Sequence, residues 1–230
     1  MREVVLDTET TGLEPAEGHR VIEIGAVELV DHIPTGNSFQ AYINPERLVP
    51  IESQRVHGIS DEFLADKPLF ADVCDEMLAF LGDAPLVIHN AAFDIKFINA
   101  ELSRVARAPI PIARAIDTID IAKAKLPGAR YSLDELCKRF GIDLSGRAKH
   151  GALLDAELTA RVYLELLGGR QTNLSLGARD TMVVLDVAKR TPRLRPAPLA
   201  PRITPEEEAA HAAFIAKELG DEPVWNWKAR

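Results

Sequence analysis

Only two cysteines occur among the 230 residues, Cys74 and Cys137, far apart and outside any C-x-x-C pair. This excludes a disulfide framework or a cysteine zinc site and fits two small buried thiols in a reducing compartment. No run approaches the ~18 apolar residues that cross a bilayer, and the N-terminal MREVVLDTET has no signal-peptide apolar region. A cytoplasmic location is expected. An excess of positive charge is missing too: Lys and Arg total 27 against 35 Asp and Glu, a formal net charge of −8. That argues against a broad basic surface for nucleic acid, but leaves room for a local site whose positive charge is brought by metal ions.

What is present is a globular composition, 47% hydrophobic and 27% charged. EVVLDTE reads as a first strand, VIEIGAVELV as a second and SFQAYINP as a third, with Gly36-Asn37 as the hairpin turn of an antiparallel meander. LVPIESQRVHGISDEFL is expected as a loop, and a helix around ADVCDEMLAFLG is expected to stop at Gly82. PLVIHN is a short apolar strand, after which Asn90 is placed to cap the helix AAFDIKFINAEL. AIDTIDIAKAKL, YSLDELCKRFG and HGALLDAELTARVYLELLGG supply further helices, with Ser132 and Glu135 forming a capping box. Strands first, then helices alternating with short apolar strands, predict an α/β layer fold with a mixed sheet.

Four acids stand out. Asp7 and Glu9 alternate on a strand end and so project from the same face. They are either a solvated edge or a pair whose repulsion calls for a cation between them. Asp94 lies one turn into a helix, beside Phe93 and Phe97. Asp155 lies in a helix whose neighbours Leu153, Leu154 and Leu158 read as core. Carboxylates from three places that one fold could unite would suit hard cations such as Mg²⁺ or Mn²⁺. His150 precedes Asp155 by five residues, ~140° apart on an ideal helix. It is therefore expected in the loop or first turn, reaching the site from the side, either as a surface histidine or as a general base.

DTETTG, HNAAFD and HGALLDAELTA, in that order, resemble the three motifs of the DEDDh 3′-5′ exonuclease family. The resemblance covers about residues 3–168 and implies a ribonuclease-H-like fold with two metal ions. Asp7, Glu9, Asp94 and Asp155 would be the ligands and His150 the base. RVIEIGAVEL, VHGISDEFL, VIHNAAFDI and SLDELC are further similar to the proofreading (epsilon) subunits of bacterial DNA polymerase III. That resemblance implies a DNA 3′ end as substrate, bound by Asp7, Glu9, Thr10, Asp155, the loop histidine His57 and the upstream Glu52. It also implies the polymerase catalytic (alpha) subunit as partner. An exoribonuclease of the same chemistry and a catalytically silent adaptor are the rival readings.

Beyond an expected exonuclease domain at 1–169, residues 170–202 carry Pro192, Pro196, Pro198 and Pro201 and read as a linker. QTNLSL, with Gln171, Leu174 and Leu176, is similar to peptides that bacterial replication proteins insert into the sliding clamp. MVVLDVA, at 182–188, is an apolar run that a linker does not explain. Residues 203–230 supply a short helix with Thr204 as N-cap, Pro205 at the first position, Glu207 closing a capping box and Gly220 as stop. A lone helix of that length is marginal in water. Phe214, with Trp225 and Trp227 in the tail, is therefore expected to dock on the polymerase subunit, the other reading being that the helix packs on its own domain.

Overall fold

The computed structural model describes residues 1–146, 149–169 and 203–218. The chain divides into two units, Met1–Gly177 and Ala178–Arg230. In the first, five strands form one mixed sheet in the order β3-β2-β1-β4-β5. These are β1 (Arg2–Thr10), β2 (Val21–Val30), β3 (Ile33–Tyr42), β4 (Leu86–Ile88) and β5 (Ala115–Asp117). β1, β2 and β3 pair antiparallel, while β4 runs parallel to both β1 and β5. The expected mixed sheet flanked by helices is observed.

Strand periodicity sends β1 residues to two cores. Val4 and Leu6 join Ile24, Leu86 and Ile88 under α3 (Phe70–Leu81) and α4 (Ala91–Arg104), through Phe70, Met77, Phe97 and Ile98. Val5 faces the other way with Val27, Leu29 and Val87, against Ala156, Ala160 and Tyr163 of α7 (Ala152–Leu166). Burial on both faces is why VVL is a continuous apolar run. The outer side of α7 packs through Leu158, Val162 and Leu166 on α5 (Thr118–Lys125) and α6 (Leu133–Phe140).

Four local expectations are corrected. The hairpin turns at Asp31-His32, both with positive φ (51° and 67°), as the twist of a two-residue turn requires. Gly36-Asn37 instead lies inside β3, in an irregularity of the β2–β3 register, where Gly36 takes φ 91°. The supposed loop at 48–64 contains two short helices, α1 (Ile51–His57) and α2 (Asp61–Leu64), the latter capped by Ser60 accepting from Phe63 N–H at 3.3 Å. AIDTIDIAKAKL opens with strand β5 before helix α5 begins. Asn90 does stand at the N-terminus of α4, but in the left-handed region (φ 71°) and without a capping bond of its side chain. The cap is Asp117, whose carboxylate accepts from Asn90 N–H (3.2 Å), Ala91 N–H (2.9 Å) and, at the start of α5, Ile119 N–H (2.8 Å).

In the second unit α8 (Pro205–Glu218) is exposed throughout its described length except Ile215, which is half-buried. Its capping box forms as predicted: Thr204 N–H donates to Glu207 Oε2 at 2.9 Å, and Glu207 N–H donates to Thr204 Oγ1 at 3.2 Å. Phe214 is exposed. The expected linker, including Gln171, Leu174 and Leu176, and the segment with Trp225 and Trp227 lie outside the described residues. Among the described residues no helix is long and apolar enough to cross a membrane.

Candidate active site

The acids meet where β1 ends. Asp7 and Glu9 project from the β1 face that α7 covers, opposite Gly25 and Glu23 of β2 in the register. Gly25 lets α7 cross this close: a Cβ there would sit 2.1 Å from Leu153 N and 2.2 Å from Ala152 C, both backbone. Only glycine admits the helix at that height, and Asp155 lies on its first turn. Since Gly151 has no side chain to cap α7, the buried Glu23 does so from β2, its Oε2 accepting from Ala152 N–H at 3.1 Å. Glu23 Oε1 also accepts from Gln40 Nε2 at 2.8 Å.

Asp94 reaches the cluster from the opposite layer. It is 3% exposed and occupies the buried stripe of α4 with Ala91, Ile95, Ile98 and Leu102, where the helix period calls for an apolar residue. Thr8 Oγ1 donates to Asp94 Oδ1 at 2.7 Å, linking the first and second acidic motifs. Burial is the main force raising the Asp94 carboxyl to about 7, partly opposed by the Thr8 hydrogen bond and aided by the charge of Asp117. Asp7 is raised well above the usual carboxylate range by burial first, then by the charges of Asp94, Asp155, Glu9 and Glu23. Four acids thus press on one.

His150 precedes α7, its backbone N–H donating to Val56 O of α1 at 3.3 Å. Its ring turns back onto the helix, with Nδ1 3.2 Å from Asp155 Oδ2. Ligand atoms of Glu9, His150 and Asp155 all lie within 4.8 Å of one another. Two carboxylates at that range repel by roughly 3 kcal/mol at an effective dielectric of ~20, which a cation would reverse. This donor set, rich in carboxylate oxygen, fits a hard divalent ion. Asp7, His150 and Asp155 open onto a cleft of about 550 Å³ whose other walls include His89, Asn90, Ile119, Tyr131, Ser132 and Asp134.

The sequence of residues 4–163 matches the Exonuclease family (RNase_T). DNA polymerase III subunit epsilon of Rickettsia conorii is 48% identical over 223 residues, covering 95% of this chain and 97% of that protein. The Escherichia coli K12 subunit of the same name is 45% identical over 241 residues, covering 97% of each. The chain belongs to the exonuclease family of epsilon subunits. Among solved structures, exonuclease X in complex with 5′ overhanging duplex DNA superposes with a TM-score of 0.57 at 26% identity, over 71% of this chain and 90% of that one. The nuclease domain of 3′hExo, a DEDDh family member bound to rAMP, gives 0.63 at 23% identity, over 72% and 91%; it shows the shared fold.

The remaining predicted residues of this exonuclease are placed less uniformly. His57 is 6% exposed at the end of α1; its Nδ1 accepts from Ile59 N–H at 3.0 Å, which fixes the proton on Nε2. That Nε2 is buried and has no hydrogen-bond partner among the described residues. Burial, then the charges of Lys149 and His150, lower its pKa to about 4, so the ring is a neutral donor awaiting an acceptor. Thr10 spends its hydroxyl on Gly12 O at 2.6 Å, shaping the turn after the acids. Glu52 is exposed on the first turn of α1, next to Ser53, whose hydroxyl donates to Thr11 O at 3.1 Å. Sequence reasoning passed over Glu23, Gly25 and Asp117, and took the Thr8 hydroxyl as a contact for the nucleotide where the structure gives it to Asp94. Of these, Glu23 had a visible signal, an acid set in the middle of the apolar run VIEIGAV.

Proposed function

We propose that this exonuclease removes mispaired nucleotides from DNA 3′ ends as the proofreading subunit of bacterial DNA polymerase III. The observation that carries the reading is the convergence on Asp7 of four other carboxylates, with His150 against Asp155 at the edge of an open cleft. Two divalent cations, Mg²⁺ or Mn²⁺, held by Asp7, Glu9, Asp94 and Asp155, would neutralise the cluster and polarise the scissile phosphate. The half-exposed His150 takes a proton from the attacking water, help typically worth ~10²–10⁴-fold. The water oxygen bonds to phosphorus, the bond to the 3′ oxygen breaks with that oxygen taking a proton from solvent to become a hydroxyl, and a nucleoside 5′-monophosphate leaves. His57 Nε2–H donates to an oxygen of the terminal nucleotide, gaining the partner it lacks among the described residues. Glu52 and Thr10 border the same end of β1.

Selection of errors needs no reading of the wrong base. A mispaired end costs less to unpair, by a few kcal/mol at most, and so enters a single-strand site more often. The relatives' name, DNA polymerase III subunit epsilon, supports an assembly with other subunits of that polymerase; the alpha subunit is the partner we infer, with Phe214, Trp225 and Trp227 on the docking side. Gln171, Leu174 and Leu176 would engage the sliding clamp, and a cytoplasmic location accords with this work.

The test is incubation of a mismatched primer and of single-stranded RNA with Mg²⁺ or Mn²⁺, for wild type and Asp7→Ala. Wild type shortens the DNA from its 3′ end, and the variant is slower by at least ~10³-fold. Untouched DNA in both metals defeats the proposal; RNA consumed in preference to DNA transfers the reading to RNA trimming.

A further inference from the structure

The far wall of the cleft is the segment entering α6, where Tyr131, Ser132 and Asp134 face the acids. Helix α6 buries Leu133, Leu136 and Cys137 and turns its charged residues outward. Beyond that wall, Arg130, Glu135, Lys138 and Arg139 line a second groove of about 330 Å³. Three cations there face one carboxylate, and Glu135 is already paired with Lys138 at 3.1 Å. In a chain that carries eight more acids than bases, such a groove goes against the overall charge. Arg130 and Tyr131, adjacent in sequence, join it to the cleft; the Tyr131 hydroxyl donates to Leu126 O at 3.0 Å and holds the ring at that junction.

A polynucleotide entering the cleft presents more than its scissile phosphate. The acidic site deals with that one group, and the phosphates behind it need positive charge from elsewhere. Resting on the nuclease reading above, we propose that the α6 groove carries the phosphodiester backbone of the single strand upstream of the scissile bond, with Arg130, Lys138 and Arg139 as phosphate contacts and Tyr131 as a stacking surface at the junction. A positive track beside an aromatic platform is how single strands are held without regard to sequence.

The test uses the full chain with Arg130→Gln, Lys138→Gln and Arg139→Gln together, all surface changes. Binding of a 5′-labelled oligothymidylate long enough to span both grooves is followed by fluorescence anisotropy, with Asp7→Asn in both arms so that the strand survives. Each lost phosphate contact lowers the salt slope by ~0.7 for a single strand, so three lower it by about 2. Between about 50 and 200 mM salt the unsubstituted groove should then lose about 20-fold more affinity than the neutralised one. With Asp7 intact, the triple variant should hydrolyse the p-nitrophenyl ester of thymidine 5′-monophosphate, which fills only the cleft, at the wild-type rate. Charge-conserving Arg130→Lys, Lys138→Arg and Arg139→Lys should restore strand binding. An unchanged salt slope makes the groove a merely solvated face and overturns the proposal, as does loss of ester hydrolysis in the triple variant. If the wild type cleaves neither ester nor strand, the nuclease reading itself falls and takes this proposal with it.

Discussion

Asp7 is the residue on which the site's electrostatics converge. Its carboxyl is raised by burial and by four neighbouring acids, so without a cation it costs the fold stability. Asp7→Asn keeps the shape and removes the charge. It should raise the melting temperature in chelator by about 2–4 °C for each ~1 kcal/mol of repulsion relieved, while activity falls by at least ~10³-fold. Thermal scans in EDTA check the first half; an unchanged or lower melting point would refute the account of mutual repulsion. Residues of this kind were legible in the sequence because each breaks a local rule. Asp94 and Asp155 sit where a helix stripe should be apolar, and Asp7 and Glu9 end a buried strand with two like charges. The pairing of Thr8 with Asp94 was not legible, because the bond spans 86 residues and no spacing along the chain foretells it.

At the scale of elements, what places Asp155 is the height at which α7 crosses β2. Gly25→Ala puts a methyl into the backbone of Ala152 and Leu153, and the helix must shift. The expected cost is about 1–3 kcal/mol of stability. Activity should fall by about 10²-fold, as a misplacement of ~1 Å does to an oriented site. Circular dichroism at the assay temperature separates the two, and full activity in a folded variant would show that the crossing height is not critical. Long periodic elements were readable in the chain: β1, β2, α3, α4 and α7 all stand where their patterns put them. Those that escaped are short. Three residues of β5 and four of α2 leave no period to detect, and the turn at Asp31-His32 lacks the glycine that usually marks such a pair. Asp117 shows the same limit, since a residue read as helical is the cap of two helices.

The whole molecule couples its acid cluster to solution pH. Asp7 and Asp94 both have folded-state pKa values above the ordinary value of 3.8, Asp94 at about 7. Groups raised in this sense favour the folded state below ~4 and lose that contribution as pH climbs through their folded values. In chelator, stability should therefore decline between about pH 4 and 7. A divalent ion at ~100 times its dissociation constant should return about 2.7 kcal/mol, or roughly 5–10 °C. Nearly all of that gain should appear at pH 8 and little at pH 5. Melting curves at the two pH values, with and without Mn²⁺, decide this; equal gains at both would contradict it. The burial of Asp94 then has a consequence beyond geometry. A carboxyl raised to about 7 keeps a proton for part of the time, and a cation held there, as proposed above, would have to evict it. Filling the site as proposed would therefore acidify the surrounding water, and a change in acidity would alter how much metal the site holds.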